Sequence, residues 1–432
     1  MSASVPPPSI AGDGVVTRFL LGNISVLLWS HLAGLAAAFV TVPYLARVLR
    51  PEGWGPVLLA QALATWLVLL IEYAFDLSVT RRLAEARGAG GPDGPLVRTV
   101  ADATSARLML AAVAFVVWAG AVAVVPALAA DWRMAAAALV FALARGFTPL
   151  WYFLGVERVH RAVLIDTAGR VVGALAVFLL VQHPSHGWRV LGAQALAAVV
   201  ACLLLNRQLR QELPALRETP RVWAGGVAVL RDGITLFAAR ASGSLYMQLN
   251  TLFIGAVASP VTVAMFGGAE RIVRAGVSLL DPVTRVLVAR LSYLQGVDRA
   301  AASRLAARLV IVLGTGAAVA AAGAAALAPW FVGLLLGPGY DAAVPVFRLL
   351  LLVLPIIALA TSIGIFFAVP RGHDRIVLSG TMAAGGTNLL LALPLARRFG
   401  ASGMAMSVVI AEAVVATMLV VWYWRQRRGG AA

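Results

Sequence analysis

The sequence predicts an all-α integral membrane protein with about twelve transmembrane helices in two six-helix lobes. Three observations predict it. Of the 432 residues, 61% are hydrophobic and only 12% charged, against roughly 25% charged in a soluble chain. Apolar runs long enough for the ~20-residue helix that crosses the hydrocarbon core recur from one end to the other. Arginines gather in alternate connections between those runs, the mark of a chain threaded back and forth through a bilayer.

Taken in order, a polar, Pro-rich segment, 1–17, is read as a cytoplasmic tail. It lacks the short apolar core and small-residue cleavage site of a signal peptide, so the first helix is expected to stay as an anchor. Six spans follow at 18–42, 55–75, 101–125, 134–155, 162–182 and 190–206 and make an N-lobe, 18–206. The polar stretch 207–231, with Pro214 and Pro220, reads as a cytoplasmic linker. The remaining spans, 234–258, 261–283, 306–333, 343–369, 376–396 and 401–424, make a C-lobe, 232–424, before a cytoplasmic tail, 425–432. Ser259 and Pro260 form the turn signal that divides the seventh span from the eighth. With the N-terminus inside, inner connections carry about 22 Arg and outer ones about 6. That bias places both termini in the cytoplasm.

The net charge is +16 and every one of the 35 basic residues is Arg. Without Lys there is no Walker motif, Schiff-base lysine or lysine base. The single cysteine, Cys202, cannot form an intramolecular disulfide. Residues 88–95 (GAGGPDGP) superficially suggest a phosphate cradle, but without strand, helix or Lys they read as a flexible connector. His183 and His186 flank an outer turn and read as solvated. His31, inside the first span, reads as a polar core contact. No metal site, cofactor, catalytic constellation or nucleic-acid partner is expected.

A faint internal repeat lays 44–51 over 253–260 at an offset of 209, which aligns Gln61 with Glu270, and 192–195 over 403–406 at an offset of 211. Two similar bundles around a central site are a common transporter plan. Ionisable residues within spans are costly and usually face an interior or wet cavity. The cationic ones singled out are Arg145, Arg170, Arg240, Arg271, Arg274 and Arg348; the acidic ones are Glu72, Asp166, Glu270 and Glu412. Asp166 with Arg170, and Glu270 with Arg274, are four apart and suited to local pairing. The remainder is a surplus of arginine, with Arg145 and Arg271 deepest and expected to lack partners. Arg240 and Arg348, nearer helix ends, either join them or snorkel. A cationic cavity suits an anionic cargo, and the guanidinium fork suits phosphate. The four acids either couple transport to a proton or sodium ion or neutralise neighbouring arginines.

Four segments in order carry a resemblance: 43–55 (PYLARVLRPEGWG), 73–84 (YAFDLSVTRRLA), 149–158 (PLWYFLGVER), and the opening of the second half, Arg231-Asp-Gly, Ser244-Leu-Tyr, Asn250 and Ala269-Glu-Arg-Ile. On these the chain resembles the Wzx-type polysaccharide flippases, in the superfamily that includes multidrug exporters of the MATE type and the lipid II flippase. It departs at Arg50, where the family commonly has Gly, and at Leu154, where Gln is common. The resemblance implies a MATE-like fold, a bacterial inner-membrane location and alternating access. It also implies export of an undecaprenyl pyrophosphate-linked oligosaccharide to the outer leaflet for cell-surface polysaccharide biosynthesis, among membrane lipids and with a polysaccharide polymerase as partner. Three alternatives stay open: a small-molecule or drug exporter, disfavoured by the arginine surplus; a membrane glycosyltransferase or polymerase, disfavoured by the short outer loops; and a non-transporting scaffold.

Overall fold

The computed structural model describes residues 13–88, 94–278 and 280–428, which are almost wholly helical and contain no β-strand. Most of the 88–95 connector and residues 1–12 of the tail lie outside the described residues, as do the side chains of His31 and of Ser244, Leu245 and Tyr246.

Helix α1 (Asp13–Glu72) bends once, at Arg50 (φ 57°, ψ 173°). The expected outer loop between the first two spans is therefore a single-residue turn, and Arg47 lies within a helix. Pro51 opens the second limb, where its missing N–H costs nothing. After a break at Tyr73 and Ala74, both with positive φ, the short α2 (Phe75–Gly88) lies against the next helices; the sequence had offered only a connection there. α3 (Gly94–Val124), α4 (Pro126–Ala129) and α5 (Trp132–Gly146) follow. Asp131 caps α5 by accepting from the backbone N–H of Arg133 and Met134. The expected fourth span breaks before Pro149 and resumes as α6 (Leu150–Gly155). α7 (Val159–Leu180) and α8 (Gly187–Glu212) complete the first half.

α8 runs on past residue 206, supported by Gln208 donating to Glu212 one turn later at 3.0 Å. α9 (Trp223–Val257) begins before residue 231. Helix thus claims both ends of the expected linker, and Pro214 and Pro220 bound what is left. α10 (Pro260–Ser278), α11 (Leu280–Val297), α12 (Arg299–Ala326), α13 (Ala328–Leu335), α14 (Ala343–Leu351) and α15 (Val353–Ile363) follow. α15 passes through a π-turn, Gly364–Ala368. α16 (Asp374–Arg428) bends at Gly400 (φ 57°, ψ −132°), a conformation that glycine alone adopts freely.

Eight helical stretches among the described residues are long and apolar enough to cross a bilayer. Two of them, Phe39–Arg87 and Asp374–Gln426, have 49 and 53 residues, enough at ~1.5 Å per residue to cross ~30 Å of hydrocarbon twice. Their outer surface is apolar: Leu179, Leu390 and Val319 are more than 70% exposed. In water such a surface would aggregate; in lipid it is the solvated face.

In the first half, α1 packs on α5, α7 and α8, and α7 on α8. In the second, α9 packs on α16, α10 on α14, and α12 on α15. The halves meet where α1 packs on α10, α9 and α13, and where α9 packs on α2 and α3. The first contact is close. A Cβ on Gly55 would fall 1.9 Å from the Pro260 carbonyl oxygen, and one on Gly267 2.9 Å from Leu58. Arg47 donates to the Leu334 carbonyl. The second contact is polar: Arg82 pairs with Asp232, Arg240 pairs with Asp76, and Tyr73 stacks on Phe237 at 4.3 Å.

Candidate functional site

Below the Arg50 bend lies a cavity of about 520 Å³, in the range of small-ligand sites. α1, α5, α7 and α8 supply its walls and α10 supplies Arg271. Part of the wall is glycine and alanine, because Gly169 and Gly173 on α7 let Ala201 and Ala197 of α8 come close.

Three guanidinium groups and one carboxylate line it. Asp166, 2% exposed, gives Oδ1 to Arg145 of α5 and Oδ2 to Arg170, one turn along its own helix, at 2.9 Å. Arg170 also donates to Ser30 Oγ at 3.0 Å, and Thr167 donates to the same oxygen at 2.7 Å. Arg271 Nη2 donates to Gln61 Oε1 at 2.6 Å, and its guanidinium lies 5.1 Å from the Trp54 ring centroid. Among the described residues no carboxylate lies within ion-pair distance of Arg271. Gln61 Nε2 in turn donates to Gln194 Oε1 at 3.1 Å. Gln61 lies eleven residues beyond Arg50, and Arg271 eleven beyond Pro260. At 1.5 Å per residue both sit roughly 16 Å along their helices, about half the ~30 Å that a crossing helix must span. A charged residue at that depth costs about 2.5–3.5 kcal/mol by insertion scales. The lining retains a net positive charge there, since one carboxylate faces three arginines.

The arginines separate. Arg145, Arg170 and Arg271 share the cavity, but Arg145 has a partner that its position on a separate helix concealed. Arg274 pairs with Glu270 at 2.6 Å, and Glu270 also accepts from Thr251 at 3.5 Å. With Arg271, Arg274 borders a second, mostly apolar cleft of about 360 Å³ beside Phe39, Val42, Ile272 and Leu335. Arg240 is not part of the surplus: Asp76 lies 2.5 Å and Glu72 3.8 Å from its guanidinium, at the contact of α9 with α2. Arg348 is exposed and donates from Nε to the Ala325 carbonyl at 3.0 Å, away from the cavity. Glu412 is buried in α16 and lines neither cleft.

One basic residue within a span was missed. Arg107, 4% exposed on α3, lies between Phe75 and Trp151, with its guanidinium 5.5 and 5.2 Å from their centroids. It donates to the Thr148 carbonyl at 3.3 Å. The sequence held the signal, a lone Arg inside the apolar run 101–125. Trp54 and Gln194 were also not singled out, because neither carries a formal charge.

Comparison with known proteins agrees with this architecture. The chain is 22% identical over 398 residues to a Shigella dysenteriae protein named, by inference, as an O-antigen transporter, covering 92% of this chain and 98% of that one. It is 24% identical over 414 residues to an Escherichia coli K12 protein named in the same way, covering 89% and 91%. Among solved structures it superposes on the lipid II flippase MurJ in an inward closed conformation with a TM-score of 0.67 at 12% identity, covering 94% of this chain and 87% of that one. An inward-facing multidrug transporter of the MATE family gives 0.63 at 16% identity, covering 90% and 95%. These likenesses establish a MATE-like membrane fold. The profile of the polysaccharide biosynthesis proteins matches residues 20–295, more than half of the chain, and the chain belongs to that family.

Proposed function

We propose that the chain is a transporter, not an enzyme, that flips a lipid-linked oligosaccharide from the cytoplasmic to the outer leaflet by alternating access. The single observation that carries this reading is the net-cationic cavity at mid-membrane depth. A diphosphate linker leaving interfacial water needs its hydration replaced, and guanidinium forks supply paired donors for phosphate oxygens. The relatives' names and the MurJ fold support the same cargo class. Arg145, Arg170 and Arg271 are the binding residues in this proposal, and Arg274 borders the neighbouring apolar cleft. The arginine bias supports an inner-membrane location with both termini cytoplasmic, which puts the Arg50 bend outside and the α2 contact inside. The six-plus-six division draws support from the way each half packs on itself.

A drug exporter on the same fold would be expected to offer cationic drugs a free carboxylate, whereas Asp166 and Glu270 are both engaged by arginine. If an ion is coupled, the acids within the spans that would carry it are Glu72, Asp166, Glu270 and Glu412. A polymerase is a natural recipient for the exported unit.

The test is reconstitution into liposomes with a fluorescent polyprenyl pyrophosphoryl sugar, with and without a proton or sodium gradient. Loss of fluorophore protection from an external quencher, faster than in protein-free vesicles and at least tenfold slower in Arg271→Ala, is the expected result. Equal rates with and without protein would overturn the proposal.

A further inference from the structure

Arg271 is the one described side chain of the cavity lining that comes from the second half of the chain. Its partner in the first half is a neutral amide, Gln61. Gln61 is held in turn by Gln194, so one amide bridges α8 to α10. The α1 limb that carries Gln61 also forms the seam between the halves, through Trp54 against Arg271, Gly55 against Pro260 and Leu58 against Gly267. The cation of the cavity and the closure of the seam are thus joined at one hydrogen bond.

The internal repeat sharpens the contrast. At the offset of 209, Gln61 occupies the position that Glu270 takes in the second half. There the carboxylate pairs with Arg274. The guanidinium bond to an amide carries charge on one partner only and is weaker than an ion pair with carboxylate or phosphate. An amide therefore holds Arg271 firmly enough to order it, yet yields it to a phosphate oxygen; a carboxylate would not.

We propose that Gln61 is a positioning residue that couples anion occupancy to opening of the seam. When a diphosphate enters the cavity, Arg271 leaves the Gln61 carbonyl for a phosphate oxygen. The cross-half bond is then lost, and the closed seam is favoured less. A ligand shifts a conformational equilibrium only by its differential affinity for the two states, and this exchange supplies that difference. The inference rests on the proposed diphosphate cargo.

The experiment uses the full chain in nanodiscs, with Cys202→Ser and spin labels at Glu52→Cys and Asp341→Cys, exposed residues from the two halves on the seam side. Distance distributions are recorded with farnesyl pyrophosphate or with farnesol, and binding is measured separately. Farnesyl pyrophosphate should lengthen the distance in the otherwise unaltered protein, and farnesol should not. Gln61→Ala should show a longer distance without ligand and at least a threefold smaller response, while still binding. Gln61→Glu should stay short and bind at least tenfold more weakly. A merely structural role would move both variants the same way and would overturn the proposal. Binding with no lengthening, or equal lengthening in all three proteins, would overturn the coupling and leave the cargo reading intact. Failure of the unaltered protein to bind farnesyl pyrophosphate would overturn both.

Discussion

Tyr340 donates its hydroxyl to the carbonyl of Ala46, 3.2 Å away and 294 positions earlier in the chain. The ring is fully buried, so the bond ties the turn before α14 to the first limb of α1 on the Arg50 side. Removing the hydroxyl with Tyr340→Phe loses roughly 1 kcal/mol from the state in which this side is closed. The expected outcome is greater reactivity of a cysteine placed at Pro51 toward a membrane-impermeant maleimide. Burial raises the phenol above its ordinary range. The neutral hydroxyl therefore contributes in full below about pH 10 and is lost only as pH climbs through the raised folded value. The thiolate fraction itself rises with pH, so the ratio of Tyr340→Phe to parent reactivity is the readout and should be flat between pH 6 and pH 9; a step in that ratio would show that another group controls the contact.

Charge exchange should separate two kinds of ion pair. Arg82 and Asp232 pair with each other across the α2 and α9 contact, half-exposed. The double variant Arg82→Asp with Asp232→Arg should keep transport within about twofold, since exposed pairs contribute only about 0–1 kcal/mol. Asp166 and Arg170 look equally exchangeable by their spacing, but Asp166 also holds Arg145. Exchanging them would press an arginine against Arg145, so that variant should fail to accumulate. Comparable yield and transport from both double variants would contradict the shared carboxylate.

Asp166→Asn leaves two guanidinium groups without their anion. Breaking a buried pair costs about 3–5 kcal/mol, and the lower end applies because Arg170 is half-exposed. Thermal unfolding in detergent should show a clear fall in midpoint. Arg145→Ala should unfold nearly as the parent does, because Arg170 still satisfies Asp166, yet flip at least tenfold more slowly. A parent-like flipping rate in Arg145→Ala would remove it from the cargo path.

Arg50 holds a positive φ with extended ψ, a conformation that costs a non-glycine residue about 1–3 kcal/mol. Arg50→Gly relieves that cost and gives back about 0.5–1 kcal/mol in chain entropy. A small rise in the unfolding midpoint is expected, and a fall would show that the side chain compensates for the strain. Gly55→Ala should act oppositely, since its methyl would meet the Pro260 carbonyl.

Arg107→Lys retains the charge and loses the planar stack between Phe75 and Trp151. A desolvated contact of this type contributes about 2 kcal/mol. The unfolding midpoint should drop while transport per folded molecule holds. Parent-like stability would show that the rings do not depend on the guanidinium.

The fold class was legible because it follows from composition and period, which a linear chain displays openly. The Asp166 and Arg170 pair was legible for the same reason, being one helical turn apart. The link from Asp166 to Arg145 was not, because it joins two helices. Nor was the tie from Arg240 to Asp76, 164 positions away. The bend at Arg50 was obscured because a proline after an arginine reads as a loop, whereas the chain needs only one residue of positive φ there. Arg107 was visible and passed over. Gln61 entered through the repeat alone, since an uncharged amide announces nothing until its partner is in place.

The glycine and alanine seam of α7 and α8 leaves the cavity with a smooth wall, and Phe141 is the one aromatic ring among its described lining residues. Such a wall offers a pyranose little to stack on, and its strongest donors are guanidinium groups suited to phosphate. Recognition concentrated on the anhydride joining lipid to sugar would let the carbohydrate vary while the same exporter served it.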